Sequence, residues 1–380
     1  MDKNVVIAGY VRSPFHFAGK GDLASVRPDD LAATVVAELV KRTGIDAKEI
    51  EDLILGCAFP EGEQGFNIAR LVVSIANLPV TIGGATVNRF CGSSMQAIHQ
   101  AAGAIQMNAG HAFICAGVES MSRIPMGGFN PLPNPALIKT YAQAYIGMGE
   151  TAENLAKKYQ IPRLRQEQFS LSSQQKADAA RASGKLQEEI IAIDTPAGKH
   201  VSADGCIRPE TTLEALAALK PAFDQSGTVT AGTASPLTDG AAATLVTSEE
   251  FAKAHGLKIM ARIKSVAVSG CAPEIMGIGP VEATRKALER AKLSIKNIDI
   301  IELNEAFAAQ SLSVLQELGI DEQKVNLDGG AIALGHPLGA SGARITGKAA
   351  SLLKREGRQF ALATMCIGGG QGIATILEAA

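Results

Sequence analysis

Tryptophan is absent from the 380 residues, and Phe, Tyr and Trp together reach only 4%. A core with so few rings must be closed by aliphatic and small side chains; the 46% hydrophobic content and 39 glycines predict closely packed layers of helix and sheet. Charge of one sign is also missing: 36 Lys and Arg face 38 Asp and Glu, a net charge of −2. That balance leaves no basic footprint for nucleic acid. No apolar run approaches ~18 residues, so no membrane span is expected. The N-terminal "MDKNVVIAGY" lacks a basic, then long apolar, leader, and "ILEAA" is not a peroxisomal tripeptide. The six cysteines form no C-x-x-C pair, which argues against a metal or redox site, and a chain this long needs no disulfide staples. Free thiols in a reducing cytoplasm are expected. The length itself exceeds one ordinary core and predicts more than one domain.

What is present is repetition. "DLILGC" ending at Cys57 and "DIIELN" ending at Asn304 match, as do "CGSSMQA" and "GASGARI", "AFICAGVES" and "ATMCIGGGQ", "VVIAGYVRSP" and "RIKSVAVSGC". The four pairs keep the same order and lie about 250 positions apart. Duplicated α/β halves are the implied architecture. Within each half, β-branched runs alternate with helical patterns such as "DDLAATVVAELVKRTG" and "PVEATRKALERAKL". Such alternation predicts a mostly parallel sheet covered by helices. Residues 118–236 differ in texture, with a Pro/Gly-rich loop "RIPMGGFNPLPNP" and helices near 149–159 and 165–183. This insertion separates an N-terminal unit, 1–117 with 237–258, from a C-terminal unit, 259–380. An insertion on an α/β core usually covers a binding face.

Three stretches can carry chemistry. "VNRFCGSSMQAIHQ" places Cys91 at a helix start, where exposed amides can lower a thiol's pKa and make it nucleophilic. The plain alternative is a small buried hydrophobe. "GGAIALGHPLGASGARI" frames His336 between Gly335 and Pro337, a rigid setting for an imidazole base or for a structural turn. "QFALATMCIGGGQGIATILEA" reads as strand, glycine turn, strand around Cys366. A phosphate-cradling glycine loop should open a helix, which this one does not. A turn of this kind can instead aim backbone N–H groups at an oxyanion, or simply close a hairpin. Asn304 in "ELNEAFAAQ" sits where strand gives way to helix and can hold a water, hold substrate or cap the helix. His16, His99, His111, His200 and His255 read as non-catalytic, and Cys57, Cys115 and Cys271 as core.

Taken together, "NRFCGSSMQA", "GVESMS", "NEAFAAQ", "GGAIALGHPLGASGAR" and "CIGGGQG" resemble the thiolase family along essentially the whole chain. The resemblance implies an α/β thiolase fold: two duplicated βαβαβαββ halves forming a five-layered αβαβα core, with a loop domain inserted over the active site. It implies a 3-ketoacyl-CoA thiolase of fatty-acid β-oxidation, or alternatively a short-chain acetyl-CoA C-acetyltransferase. By the same resemblance Cys91 is the acyl-accepting nucleophile, His336 its base, and Cys366 the acid/base toward acetyl-CoA and CoA. His336 and a water on Asn304 would stabilise the enolate oxygen; the N–H groups of Cys91 and Gly368 would form a second oxyanion hole. Arg208, Leu219, Phe223 and Ser235 fall at CoA-holding positions, Met148 and Phe307 at acyl-pocket positions. Coenzyme A would be a co-substrate, with no permanently bound cofactor. A homodimer or homotetramer is implied, and a hydratase/dehydrogenase partner is compatible with it.

Two positions depart from the family's usual wording. "TAGTAS" has Thr233 where many members have Asn, and "IGMGETAEN" has Gly147 where acetoacetyl-specific members carry His. The second departure favours the broader-chain degradative type. A ketoacyl synthase of the same superfold would use a Cys-His-His set, and a non-catalytic acyl-CoA carrier would not keep every motif.

Overall fold

The computed structural model describes residues 3–380. Its strands are Val5–Arg12 (β1), His16–Phe17 (β2), Asp52–Gly56 (β3), Gly83–Val87 (β4), Ala112–Ser120 (β5), Ile193–Asp194 (β6), His200–Val201 (β7), Thr238–Ser248 (β8), Ala261–Gly270 (β9), Ile300–Leu303 (β10), Phe360–Ile367 (β11) and Gln371–Glu378 (β12). The first half runs β1-β8-β5-β3-β4 and the second runs β9-β12-β11-β10. Val325 bridges Ile301 in parallel, at the place that β4 occupies in the first half. The internal duplication seen in the sequence is therefore a duplicated strand order.

The sheet is mixed rather than mostly parallel. Among the named strands, parallel pairing is confined to β3–β4, β3–β5 and β10–β11, where helical crossovers link the strands. Each half also holds an antiparallel pair, β5 with β8, between which the insertion lies, and β11 with β12, joined by a hairpin. The two halves also meet: Val6 and Ile7 pair antiparallel with Arg262 and Ala261.

Five layers follow from which helix faces are apolar. The helix Pro28–Thr43 has Pro at its first position, Asp29 and Asp30 in its first turn, Lys41 and Arg42 in its last, and Gly44 at φ 71 to end it. Its Leu31, Val35, Val36 and Leu39 bury against the first half-sheet with the helix Ile68–Ile75. The helices Gly279–Ala291 and Ala308–Leu318 cover the second half-sheet likewise. Between the sheets, Ser93–Gln106 and Leu338–Arg355 pack on one another. The latter is buried nearly all round, through Ala340, Gly342, Ala343, Gly347, Ala349 and Ala350. Small residues are needed there: a Cβ on Gly342 would stand 2.4 Å from the Met95 backbone nitrogen.

Between β5 and β8 the chain leaves the sheet. The helix Met148–Lys158 packs on residues 273–278 and on Ala308–Leu318, and Arg163–Ala182 packs on Ala331–Leu334. A segment rising from the first half thus lies over the second. Among the described residues no helix is long and apolar enough to cross a membrane.

Candidate active site

The two central helices each begin two residues after a candidate side chain. Cys91 precedes Ser93–Gln106, and His336 precedes Leu338–Arg355. His336 is 4% exposed. Its backbone N–H donates to Thr238 Oγ1 at 3.1 Å, and Gly335 beside it takes φ +105. The ring is gripped on both edges. Nδ1 lies 2.6 Å from Ser341 Oγ, and Asn304 Nδ2 lies 3.3 Å from Nε2. Ser341 spends its only proton on the Pro337 carbonyl at 2.9 Å, so toward His336 it accepts. The imidazole therefore carries its proton on Nδ1 and offers a lone pair at Nε2. Asn304 itself continues the β10–β11 ladder, donating its N–H to the Thr364 carbonyl, while its Oδ1 is buried without a protein partner.

Cys91 packs against Leu338, two residues beyond His336, and against Ala58 and Met121. Burial pushes its thiol up to about 11, only partly offset by the Gly368 N–H and its own N–H. The helix-start position therefore does not produce a free thiolate: Gly92 intervenes, no cation faces the sulfur, and desolvation outweighs the amides. Burial, with a smaller effect from Arg344, pulls His336 down to about 3. Thiol and imidazole are both neutral in the free chain.

Cys366 lies near the end of β11, paired across the hairpin with Gly372, and is 1% exposed. Burial holds its thiol well above the ordinary range, reinforced by Cys91 and Cys271. Gly369 and Gly370 turn the hairpin at φ +78 and +83, and a Cβ on Gly370 would stand 2.3 Å from the Cys271 carbonyl. Gly368 is different. A Cβ there would meet the Phe90 ring at 3.6 Å and Met148 Sδ at 3.7 Å, ordinary contacts. Its value to the site is the N–H reaching Cys91, not an absent side chain.

Met148 and Phe307 share one apolar cluster with Cys366, Ala234 and Met276. Phe223 stands edge-on to Phe307 at 5.8 Å and covers Gly149. Ser235 joins through two hydrogen bonds to the Ala306 carbonyl, at 2.9 and 3.1 Å. Leu219 lies against Gly232 of the same loop. Arg208 stands apart: its guanidinium covers the Phe17 ring at 5.4 Å, and its N–H donates to Gln174. Thr233, the unusual residue of that loop, accepts the Thr230 N–H at 2.9 Å and presents its carbonyl to the Ala308 N–H at 2.8 Å. It closes the Thr230 turn and pins the loop to the helix Ala308–Leu318.

Sequence reasoning overlooked Glu119. Its buried carboxylate accepts from the backbone N–H groups of Ala58, Phe59 and Gly339 at 2.9, 3.2 and 2.8 Å, and from Gln64 Nε2 at 2.8 Å. It thereby ties the ends of β3 and β5 to the helix start beside His336. The signal was a carboxylate ending the apolar run "AFICAGVES". Gly339 allows the approach, since a Cβ there would stand 2.5 Å from the Val118 carbonyl.

The buried imidazoles set an acid limit on stability. His99, bonded to Thr375 Oγ1 at 2.8 Å, is pulled down to about 3 by burial, as is His336. Unfolded histidines take a proton near ~6.5, so the unfolded chain binds more protons below that pH and stability falls on acidification. Glu302, pushed up to about 7 by burial, opposes this: the folded chain holds the extra proton between ~4.3 and 7. A shallow loss above pH ~4.3 and a steep one below it are expected, with about 1.4 kcal/mol per pH unit for each histidine. Stability from urea denaturation between pH 7 and 3.5 should show the break, and His99→Gln should lower the slope by about 1.4 kcal/mol per pH unit.

Residues 5–250 match the model of the thiolase N-terminal domain, and residues 257–379 that of the thiolase C-terminal domain. A 3-ketoacyl-CoA thiolase of Bacillus subtilis (strain 168) is 47% identical, with 99% of each chain covered. One of Shewanella loihica is 50% identical over the full length of both. The crystal structure of human mitochondrial 3-ketoacyl-CoA thiolase superposes with a TM-score of 0.91 at 37% identity, covering 99% of each chain. In sequence and in fold, the chain belongs to the thiolase family.

Proposed function

We propose that this chain is a 3-ketoacyl-CoA thiolase, cleaving 3-ketoacyl-CoA with CoA to acetyl-CoA and an acyl-CoA two carbons shorter. What supports this reading is that the Gly368 N–H reaches Cys91, that Cys91 acts on the Cys366 thiol, and that Cys91 packs in one cluster with Leu338, two residues beyond an imidazole held between Asn304 and Ser341. Cys91 Sγ attacks the 3-keto carbonyl while its proton passes to His336 Nε2, the nitrogen left unprotonated by the Ser341 bond. With both groups neutral at rest, proton transfer accompanies carbon–sulfur bond formation rather than preceding it. The new Nε2–H then becomes a donor to the oxyanion. Cleavage of the C2–C3 bond leaves an acyl thioester on Cys91, and the departing acetyl-CoA carbanion takes the Cys366 proton. A thiol held well above its ordinary pKa is suited to that acid role. The Cys366 thiolate next deprotonates CoA, whose sulfur attacks the thioester. Cys91 leaves as a thiolate and recovers its proton from His336. Splitting the exchange into two acyl transfers predicts ping-pong kinetics.

Residues 118–236 serve in this reading as the CoA-binding cover. Phe223, Ser235 and Leu219 line the pantetheine approach, Arg208 takes the nucleotide end, and Met148 with Phe307 bounds the acyl chain. Units 1–117 with 237–258, and 259–380, are the two catalytic halves. Among the described residues β4 ends the strand order and pairs only with β3, and Phe66 and Val80, earlier in the chain, are 93% and 77% exposed. That edge supports a homodimer or homotetramer. The reading places the enzyme in the cytoplasm, with CoA as co-substrate and no resident cofactor. CoA-dependent cleavage of acetoacetyl-CoA and of 3-ketodecanoyl-CoA is expected, with parallel double-reciprocal lines. Cleavage of acetoacetyl-CoA alone would move the assignment to a short-chain acetyltransferase.

A further inference from the structure

On the strand and helix that hold the imidazole lies an ion pair that the mechanism above does not use. Arg344 Nη1 donates to Glu302 Oε2 at 3.0 Å, with the two side chains 2% and 0% exposed. Their places are ordered. Glu302 stands two residues before Asn304 on β10, and alternate residues of a strand share a face. Arg344 stands three residues after Ser341 on the helix Leu338–Arg355, and such residues lie on one helical face. Asn304 and Ser341 are the two residues that grip His336. The same strand and helix are therefore bridged twice, by Asn304–His336–Ser341 and, one step back, by Glu302–Arg344.

We propose that the Glu302–Arg344 pair positions His336 and balances its charge, the Glu302 carboxylate cancelling the Arg344 field that would otherwise oppose protonation of the imidazole. This rests on the reading of His336 as the base. The Arg344 cation does act against imidazolium formation. Glu302 also faces Lys348, Asp328 and Glu189, while Tyr10 and Arg12 complete the buried charged group. Burial outweighs Arg344 and Lys348 and pushes Glu302 up to about 7, so the pair loses its negative member on mild acidification. His336 then meets an uncompensated cation. Neither reacting thiol nor imidazole titrates in that range, so an acid limb near neutrality that E302Q removes belongs to Glu302.

The test is kcat for CoA-dependent cleavage from pH 6 to 9, in the native enzyme, E302Q, the double variant E302Q/R344M and H336A. The native profile is expected to fall as pH drops through about 7. E302Q should be flat between pH 6 and 8 and lower at pH 8 by about tenfold, the equivalent of one unit of imidazole basicity. E302Q/R344M, with neither charge, should return to within about threefold of native at pH 8 and stay flat, since a buried pair can be replaced jointly at little cost. An acid limb retained in E302Q would overturn the proposal, as would a double variant no better than the single. Should E302Q not fold, the double decides: a flat profile supports the pair, a native-like limb overturns it. H336A with native turnover would instead sink the base assignment. H336A inactive with E302Q unshifted removes only the role of the pair.

Discussion

Cys91→Ala is expected to lose CoA-dependent cleavage by at least about 10⁴-fold while binding acyl-CoA nearly as well as the native enzyme, losses of that order being usual when an acting nucleophile is removed. The sulfur lies in an apolar setting with Leu338, Ala58 and Met121, so a methyl group fills most of the site, and the Gly368 N–H is the one donor that loses its partner there. No other thiol replaces it: Cys57, Cys115 and Cys206 are fully buried, and burial holds the Cys366 and Cys271 thiols above the ordinary range. Mass spectrometry after mixing with acetoacetyl-CoA alone should find an acetylated native chain and an unmodified variant. Cleavage by the variant above a hundredth of native, roughly 10²-fold loss or less, would place the acyl group elsewhere. Binding without exchange in the native protein would leave an acyl-CoA carrier.

Glu119→Ala is expected to be among the most destabilising single changes in the chain. It strands three backbone N–H groups, the buried ones of Ala58 and Gly339 and the part-buried one of Phe59. Each orphaned donor costs about 1–3 kcal/mol, so a loss of roughly 3–9 kcal/mol is expected. That is a large share of a typical total of about 5–15 kcal/mol. The Gly339 bond also holds the helix start three residues beyond His336, so activity should fall before the fold does. Urea denaturation read beside kcat at low denaturant checks both effects. Glu119→Gln, which keeps an acceptor for part of the set, should lose less than half as much. A loss under about 1 kcal/mol in Glu119→Ala would show that water replaces the carboxylate.

The duplicated strand order was legible in the residue order, as were the helix starts after Cys91 and His336 and the hairpin at Cys366. Repeat spacing and glycine placement are local properties, and the matching strand orders β1-β8-β5-β3-β4 and β9-β12-β11-β10 express that repetition directly. The mixed character of the sheet was not legible, because strand direction depends on whether a neighbour in sequence becomes a neighbour in space. Nor was the state of the thiol: a helix start favours an anion, but only the packed surroundings reveal that burial outweighs it at Cys91. Gly370 is required by its backbone conformation, whereas Gly368 is not excluded from carrying a side chain by any close neighbour. Glu119, Ser341 and the Glu302–Arg344 pair are read from the tertiary structure alone, since each acts on residues distant in sequence. The sequence by itself determined which groups could do chemistry and in what duplicated frame they stand. The tertiary structure decided which protons those groups hold, because desolvation and long-range hydrogen bonds exist only once the layers have closed.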